Sequence, residues 1–225
     1  MSAAAGPEAL RVEVRPLGAA DLARVAEVHR AAFPGSALTA LGGDAPRRYY
    51  AWLLAGPHDA HPRGAFAEGR LVGFCFGGVY RGALTGYVRG NAPYLALRAL
   101  LRPRLLLGGA FRKAAALGAR LLVRTPRRTP PPGGWLPSFG ILSIAVHPEA
   151  RGTGAARALM DDAEAEARRR GFGVMHLSVR PENARAVRFY EKCGWERRES
   201  GGEWNGIMIK WLGGETGVGE ATEGR

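Results

Sequence analysis

Between Gly140 and Trp195 the hydrophobic period of the chain switches back and forth, and no other stretch restricts the fold as much. Ile141 to Val146 is a short, apolar, β-branched run, the pattern of a buried strand. His147-Pro148 ends it, because proline has no N–H to give to a ladder. From about Gly154 to Arg170 the apolar positions Ala156, Leu159, Met160, Ala163 and Ala167 recur at helical spacing. Met175 to Val179 reads as a second strand. Asn183 then stands at the start of a short helix, Ala184 to Cys193, which Gly194 ends.

The joint between the first strand and its helix carries the chemistry. Arg151, Gly152, Thr153, Gly154, Ala155 and Ala156 put small residues where a helix begins. The first N–H groups of a helix have no intrahelical partner, and the dipole adds positive charge there. Small side chains let a phosphate reach those donors. Taken alone, the same turn is equally an ordinary glycine-containing entry to a helix.

The segment as a whole resembles the central part of the GNAT superfamily of acyl-CoA-dependent N-acetyltransferases. Arg151, Gly154 and Ala156 match the family's R/Q-x-x-G-x-G/A pyrophosphate loop, and Asn183 and Tyr190, within N-A-R-A-V-R-F-Y-E-K-C-G-W, match its second signature. The resemblance is specific over roughly residues 140–200, extends to 11–80, and is absent over about 81–138. It implies an α/β (α+β) fold, a mixed and mostly antiparallel central sheet flanked by helices, in one domain over residues 11–212.

The remaining chain reads compatibly. Arg11 to Pro16 alternates as a strand, and a helix follows to about Phe33, with Leu22, Val25, Ala26 and His29 on one side and Asp21 in its first turn. His29 reads as part of that helix face. Ala45 to Ala55 is a second helix whose aromatics suit packing or the lining of a pocket. Ala65–Ala67 and Leu71–Val79 read as a hairpin around Gly69. His58 and His61 fall in a Pro/Gly-rich stretch and read as surface loop residues. Two strands are expected near Glu196–Glu199 and Gly206–Trp211, between a flexible lead at 1–10 and a disordered tail at 213–225.

From Val79 to Ser138 the chain has no Asp or Glu but eleven basic residues: Arg81, Arg89, Arg98, Arg102, Arg104, Arg112, Lys113, Arg120, Arg124, Arg127 and Arg128. They nearly equal the net charge of +12. Tyr94–Arg102 and Leu105–Arg124 read as helices and Thr125–Pro137 as a loop, so the segment is a basic helical insert. Its few aromatics argue against a single-strand stacking platform, and nucleic acid is an unlikely partner. No run is long and apolar enough to span a membrane, and no secretory signal pattern opens the chain, so a cytoplasmic protein is expected. Cys75 and Cys193 read as buried free thiols, and no Cys/His cluster has metal spacing.

The resemblance implies acetyl transfer to an amine. Ile144, Ala145 and Val146 would pair with the pantetheine arm of acetyl-CoA, with an N–H near Val146 facing the oxyanion. Arg151, Gly152, Thr153, Gly154, Ala155 and Ala156 would hold the pyrophosphate, Asn183 the cofactor arm, and Tyr190 would protonate the leaving thiolate. The base is left open between ordered water, Glu182 and the amino-terminal half. The central strand offers Ser143 where many relatives carry Glu, and Ser178-Val179-Arg180-Pro181-Glu182-Asn183 departs from the E-V-R-x-x-N of ribosomal-protein alanine acetyltransferases. The acceptor reads as a small amine carrying anionic groups. A protein amine is the alternative, as is a basic binding module for nucleic acid or an acidic membrane surface on the same scaffold.

Overall fold

A computed structural model describes residues 11–102, 138–200 and 202–213. The lead at 1–10, the helix expected at Leu105–Arg124, the loop at Thr125–Pro137 and nearly all of the tail lie outside them.

The strands are β1 (Val12–Pro16), β2 (Asp59–Ala67), β3 (Arg70–Val79), β4 (Ser138–Val146), β5 (Val174–Ser178), β6 (Glu196–Ser200) and β7 (Glu203–Trp211). They form one sheet in the order β1-β2-β3-β4-β5-β7-β6. Every neighbouring pair is antiparallel except β4 and β5. The helices are α1 (Leu22–Ala32), α2 (Ala37–Leu41), α3 (Ala45–Ala55), α4 (Ala83–Gly90), α5 (Ala92–Leu100), α6 (Ala155–Arg169) and α7 (Ala184–Lys192).

Both faces of the sheet are covered. On one, Leu159, Met160, Ala163 and Ala167 of α6 bury against Phe139, Ile141, Met175 and Leu177. On the other, Val25 and Val28 of α1 and Tyr50 and Leu53 of α3 pack on Phe66, Phe74, Phe76 and Ala145. The apolar spacing of α6 read from the sequence is the face it buries, except that Ala155 rather than Ala156 is the buried residue at its start. Cys75 and Cys193 are both buried and free.

Several local expectations are corrected. β2 begins at Asp59, so His61 is a strand residue and not a loop residue; it is 6% exposed and bonds Asp162 Oδ2 through Nε2 at 2.8 Å. Pro62 is tolerated within β2 because it stands where the ladder with β1 ends: its carbonyl accepts the Leu17 N–H at 3.1 Å, and no paired residue of β1 calls for the missing N–H. A 3-10 turn, Ala19–Asp21, precedes α1, and Asp21 Oδ2 accepts the Gly18 N–H at 2.9 Å. The short α2 was not anticipated. Neither was α4, and α5 starts two residues before the expected helix. Two arginines of this basic stretch have local duties: Arg98 Nε donates to Leu41 O at 3.0 Å and Arg102 Nη1 to Ala40 O at 2.8 Å. Both satisfy carbonyls at the end of α2.

A charged cluster pins α6 to β2. Arg170 Nη1 donates to Asp59 Oδ1 at 2.6 Å and its Nε to Glu166 Oε1 at 2.6 Å, while Arg169 holds both oxygens of Glu166 at 2.7 Å. Hydrogen bonds from Arg169 first, then from Arg170, lower the Glu166 carboxyl to about 2. A depressed carboxyl stabilises the fold above its unfolded value, and that stability drains away as pH falls through the folded one. Glu166→Gln is expected to cost about 1–2 kcal/mol at neutral pH after allowance for solvent screening. The difference between variant and wild type should shrink from about pH 4.5 towards pH 2. Urea unfolding at several pH values checks this, and a pH-independent difference would refute it.

Candidate active site

β4 and β5 pair only from Ser138↔Val174 to Ile141↔Leu177. There β4 carries an extra residue: Phe76 of β3 faces Ser143, but Gly77 faces Ile141, so Leu142 bulges. A bulge bends its strand away from the regular ladder. β5 continues along β7, through Leu177↔Met208 and Ser178↔Ile207, while β4 stays with β3 as far as Gly73↔Val146. The two strands therefore part, and a cleft opens between them.

The ladder with β3 decides which backbone groups face that opening. His147 N donates to Val72 O at 2.7 Å. Antiparallel alternation then turns the Ala145 N–H to β3 and those of Ile144 and Val146 to the opposite edge. Ala145, expected to pair with a guest, instead has its N–H on β3 and its side chain in the α1/α3 core. The Ile144 and Val146 N–H groups are the two of this segment that point away from β3.

The cleft has a volume of about 350 Å³ and is lined by Ser143, Ile144, Ser178, Arg180, Asn183 and Tyr190 among others. Asn183 Oδ1 caps α7 by accepting the Ala186 N–H at 3.2 Å, which leaves its amide nitrogen for a guest. Tyr190 packs its ring against Phe189 and Trp195 at centroid distances of 5.4 and 6.2 Å. Burial pushes its phenol well above the ordinary range, so it holds its proton at neutral pH. That is the state a proton donor needs. Glu182, a base candidate from the sequence, is exposed and does not line the cleft.

Past the end of β4 a 3-10 turn, Pro148–Ala150, leads into the small-residue loop. Thr153 Oγ1 donates to Ala150 O at 2.7 Å, bracing the turn. Gly152 and Gly154 take φ of +85° and +83°, a region that favours glycine. The first helical bond runs from Ala158 N to Gly154 O at 2.9 Å, so the N–H groups of Ala155, Ala156 and Arg157 have no partner within α6. The Ala155 side chain is buried, Ala156 is half-buried, and Arg151 is exposed at the rim. Thr153 lines a separate recess with Arg70 and His147.

Two residues of the site region escaped sequence reasoning. Tyr50 reaches from α3 to Ser143 Oγ at 3.0 Å, and His29, read as a helix-face residue, is buried with Nδ1 2.8 Å from Tyr50 Oη. The available signal was that each fell on the apolar side of its helix. A second recess, about 490 Å³, is lined by Tyr80, Ala83, Ser138 and His176 and shares Ile141, Leu142, Leu177 and Ser178 with the cleft.

The model of the acetyltransferase (GNAT) family matches residues 111–195, which reaches further back than the segment read as similar and into the basic insert. No curated protein matches the chain by sequence. Among solved structures it is similar to the PaiA N-acetyltransferase of Thermoplasma acidophilum in complex with coenzyme A, at 16% identity over 90% of this chain and 99% of that one, TM-score 0.53. It is similar also to the ribosomal-protein-S18-alanine N-acetyltransferase of Escherichia coli, at 15% identity, 92% and 98% coverage and TM-score 0.54. A third is the aminoglycoside N-acetyltransferase AAC(6')-Iy in complex with CoA, at 16% identity, 87% and 95% coverage and TM-score 0.54. At these identities the likeness is one of fold. The sheet has the fold of these N-acetyltransferases, and the family match includes the small-residue loop, Asn183 and Tyr190. The match to the GNAT family covers residues 111–195, rather more than a third of the chain.

Proposed function

We propose that this protein moves an acetyl group from acetyl-CoA directly to the primary amine of a small anionic molecule, such as a nucleotide-linked amino sugar. The observation that carries the reading is the gap where β4 leaves β5, with the N–H groups of Ile144 and Val146 turned into it. Those groups would hold the pantetheine arm and face the thioester oxygen as it gains charge. The loop from Arg151 to Ala156 would bind the pyrophosphate, and Arg151 would add charge at the rim. Asn183 would donate its amide N–H to the cofactor arm. The Tyr190 hydroxyl would protonate the departing thiolate.

The test is calorimetric titration with acetyl-CoA, then mass-spectrometric product detection with aminoglycosides, amino-terminal peptides and nucleotide-linked amino sugars as acceptors. Absence of acetyl-CoA binding would refute the reading, and acetylation of the peptides alone would move the acceptor to proteins.

The anionic acceptor is supported by the basic insert, whose first residues Tyr80 and Ala83 border the second recess. Arg98 and Arg102 are engaged with α2, so the test falls on Arg120 and Arg124, which lie outside the described residues. Reversing both to Glu should raise the acceptor KM about tenfold or more, and leave acetyl-CoA affinity nearly unchanged. Added salt should raise the wild-type KM. Preference for a polycationic amine, or indifference to both reversals, would show the anionic assignment to be wrong.

A further inference from the structure

Among the described residues lining the cleft there is no Asp or Glu, yet an amine that becomes an amide must lose a proton. A line of side chains runs from the cleft into the α1/α3 core at this point. Ser143 Oγ in the cleft wall lies 3.0 Å from Tyr50 Oη, which lies 2.8 Å from His29 Nδ1. His29 Nε2 lies 2.9 Å from Ser36 Oγ.

The far end of this line orients the rest. Ser36 Oγ donates to Thr39 Oγ1 at 3.0 Å and accepts the Thr39 N–H at 3.1 Å, the latter capping α2. A serine has one hydroxyl proton, so towards His29 it accepts. With the Ser36 hydroxyl turned this way the imidazole proton sits on Nε2 and Nδ1 keeps a lone pair, which is the tautomer the proposal requires. Tyr50 then donates to Nδ1 and Ser143 donates to Tyr50. Both hydroxyl protons point inward, and the remaining lone pairs of Ser143 are free for a molecule in the cleft. Tyr50 is 0% and His29 5% exposed, so the line is shielded from bulk water. Burial first, and then Arg30, holds the imidazole at about 4, so its Nδ1 site is vacant at neutral pH. Packing alone explains the ring of Tyr50, among Phe74, Phe76 and Tyr49, but a phenylalanine would pack as well. Polar groups in such a core are costly unless joined in a satisfied network.

We propose that Ser143, Tyr50 and His29 form the proton-accepting arm of the site, with Ser143 the catalytic residue that touches the acceptor amine and Tyr50 and His29 positioning residues that act through it. The proposal rests on the acetyltransferase reading. The neutral amine nitrogen bonds to the thioester carbon, and the C–S bond breaks. As the C–N bond makes the nitrogen acidic, its proton passes to Ser143 Oγ. The proton of Ser143 moves to Tyr50 Oη, and that of Tyr50 to His29 Nδ1, leaving a transient imidazolium. The thiolate takes its proton from Tyr190 on the other wall. After release the imidazolium proton returns along the same line to solvent in the cleft, and Tyr190 regains one from solvent. The sum is one proton lost by the amine and one gained by coenzyme A.

Two measurements on the full chain test this. Nitrogen-15 NMR of histidine-labelled protein should show His29 as the neutral Nε2–H tautomer, with a Nδ1 signal that shifts in Tyr50→Phe; an Nδ1–H tautomer overturns the proposal. Steady-state turnover is then followed as thiol release from acetyl-CoA, using the best primary amine from the acceptor panel, or water where none is taken. Ser143→Ala and Tyr50→Phe should each lower kcat about tenfold to a hundredfold with acetyl-CoA Kd unchanged, and Ser143→Thr, which keeps a hydroxyl, should recover most of the rate. Wild-type kcat in both the Ala and Phe variants overturns the proposal alone. A wild type that neither binds nor turns over acetyl-CoA overturns the acetyltransferase reading and this one with it.

Discussion

Gly154→Glu will abolish measurable acetyl-CoA binding while the protein stays folded. Gly154 adopts φ +83°, and a Cβ built there meets no atom within 4 Å, so the added side chain enters open space at the mouth of the loop. Two effects then act. The left-handed backbone costs about 1–2 kcal/mol for any residue with a Cβ. The carboxylate also sits among the N–H groups of Ala155, Ala156 and Arg157, where the pyrophosphate of the donor is proposed to lie. One like-charge pair about 4 Å apart costs roughly 1 kcal/mol in water and 4 at an effective dielectric of 20, and the pyrophosphate carries more than one charge. A loss of at least about a hundredfold in affinity follows. Gly154→Ala separates the causes. It pays the backbone strain without the charge, so it should lower the thermal midpoint by about 2–8 °C and weaken binding far less. Equal calorimetric affinity in Gly154→Glu and the wild type would remove the pyrophosphate from this loop.

Tyr190→Phe will lower turnover by roughly two orders of magnitude and leave the acetyl-CoA Kd almost unchanged. The substitution keeps the ring, and with it the contacts to Phe189 and Trp195. Burial has raised the Tyr190 phenol, so at neutral pH the wild type presents a hydroxyl with its proton in place. No described side chain or backbone group is hydrogen-bonded to its Oη, so deleting it strands no partner and little stability should be lost. An interaction used only while the C–S bond breaks affects kcat and kcat/KM together. Normal turnover in the variant would return Tyr190 to a packing role.

Much of this site is local in the chain, and locality is what made it legible. The strand, the turn with Gly152 and Gly154, the start of α6, the Asn183 cap and the placement of Tyr190 on α7 all follow from residues within one or two turns of each other. Capping, glycine conformation and helical periodicity operate over that range. The buried face of α6 was likewise visible in its spacing.

Other features depended on pairings between distant residues. Leu142 bulges only because Phe76 and Gly77 of β3 set the register of β4, and the register then decides that Ile144 and Val146, not Ala145, turn their N–H groups to the cleft. His61 looked like a loop residue because Pro62 and Gly64 flank it, yet the edge position of β2 beside the end of β1 admits the proline, and α6 supplies Asp162 to the histidine. The line from Ser143 through Tyr50 to His29 joins three elements, and no spacing rule connects residues 29, 50 and 143. By itself the sequence determined the run of elements from β4 to α7 and the two motifs, because short-range sterics and hydrogen bonding dictate them. Only the tertiary structure decided which donors face the cleft and that Ser143, Tyr50 and His29 stand in one line, because both depend on strand register and on helices packed across the sheet.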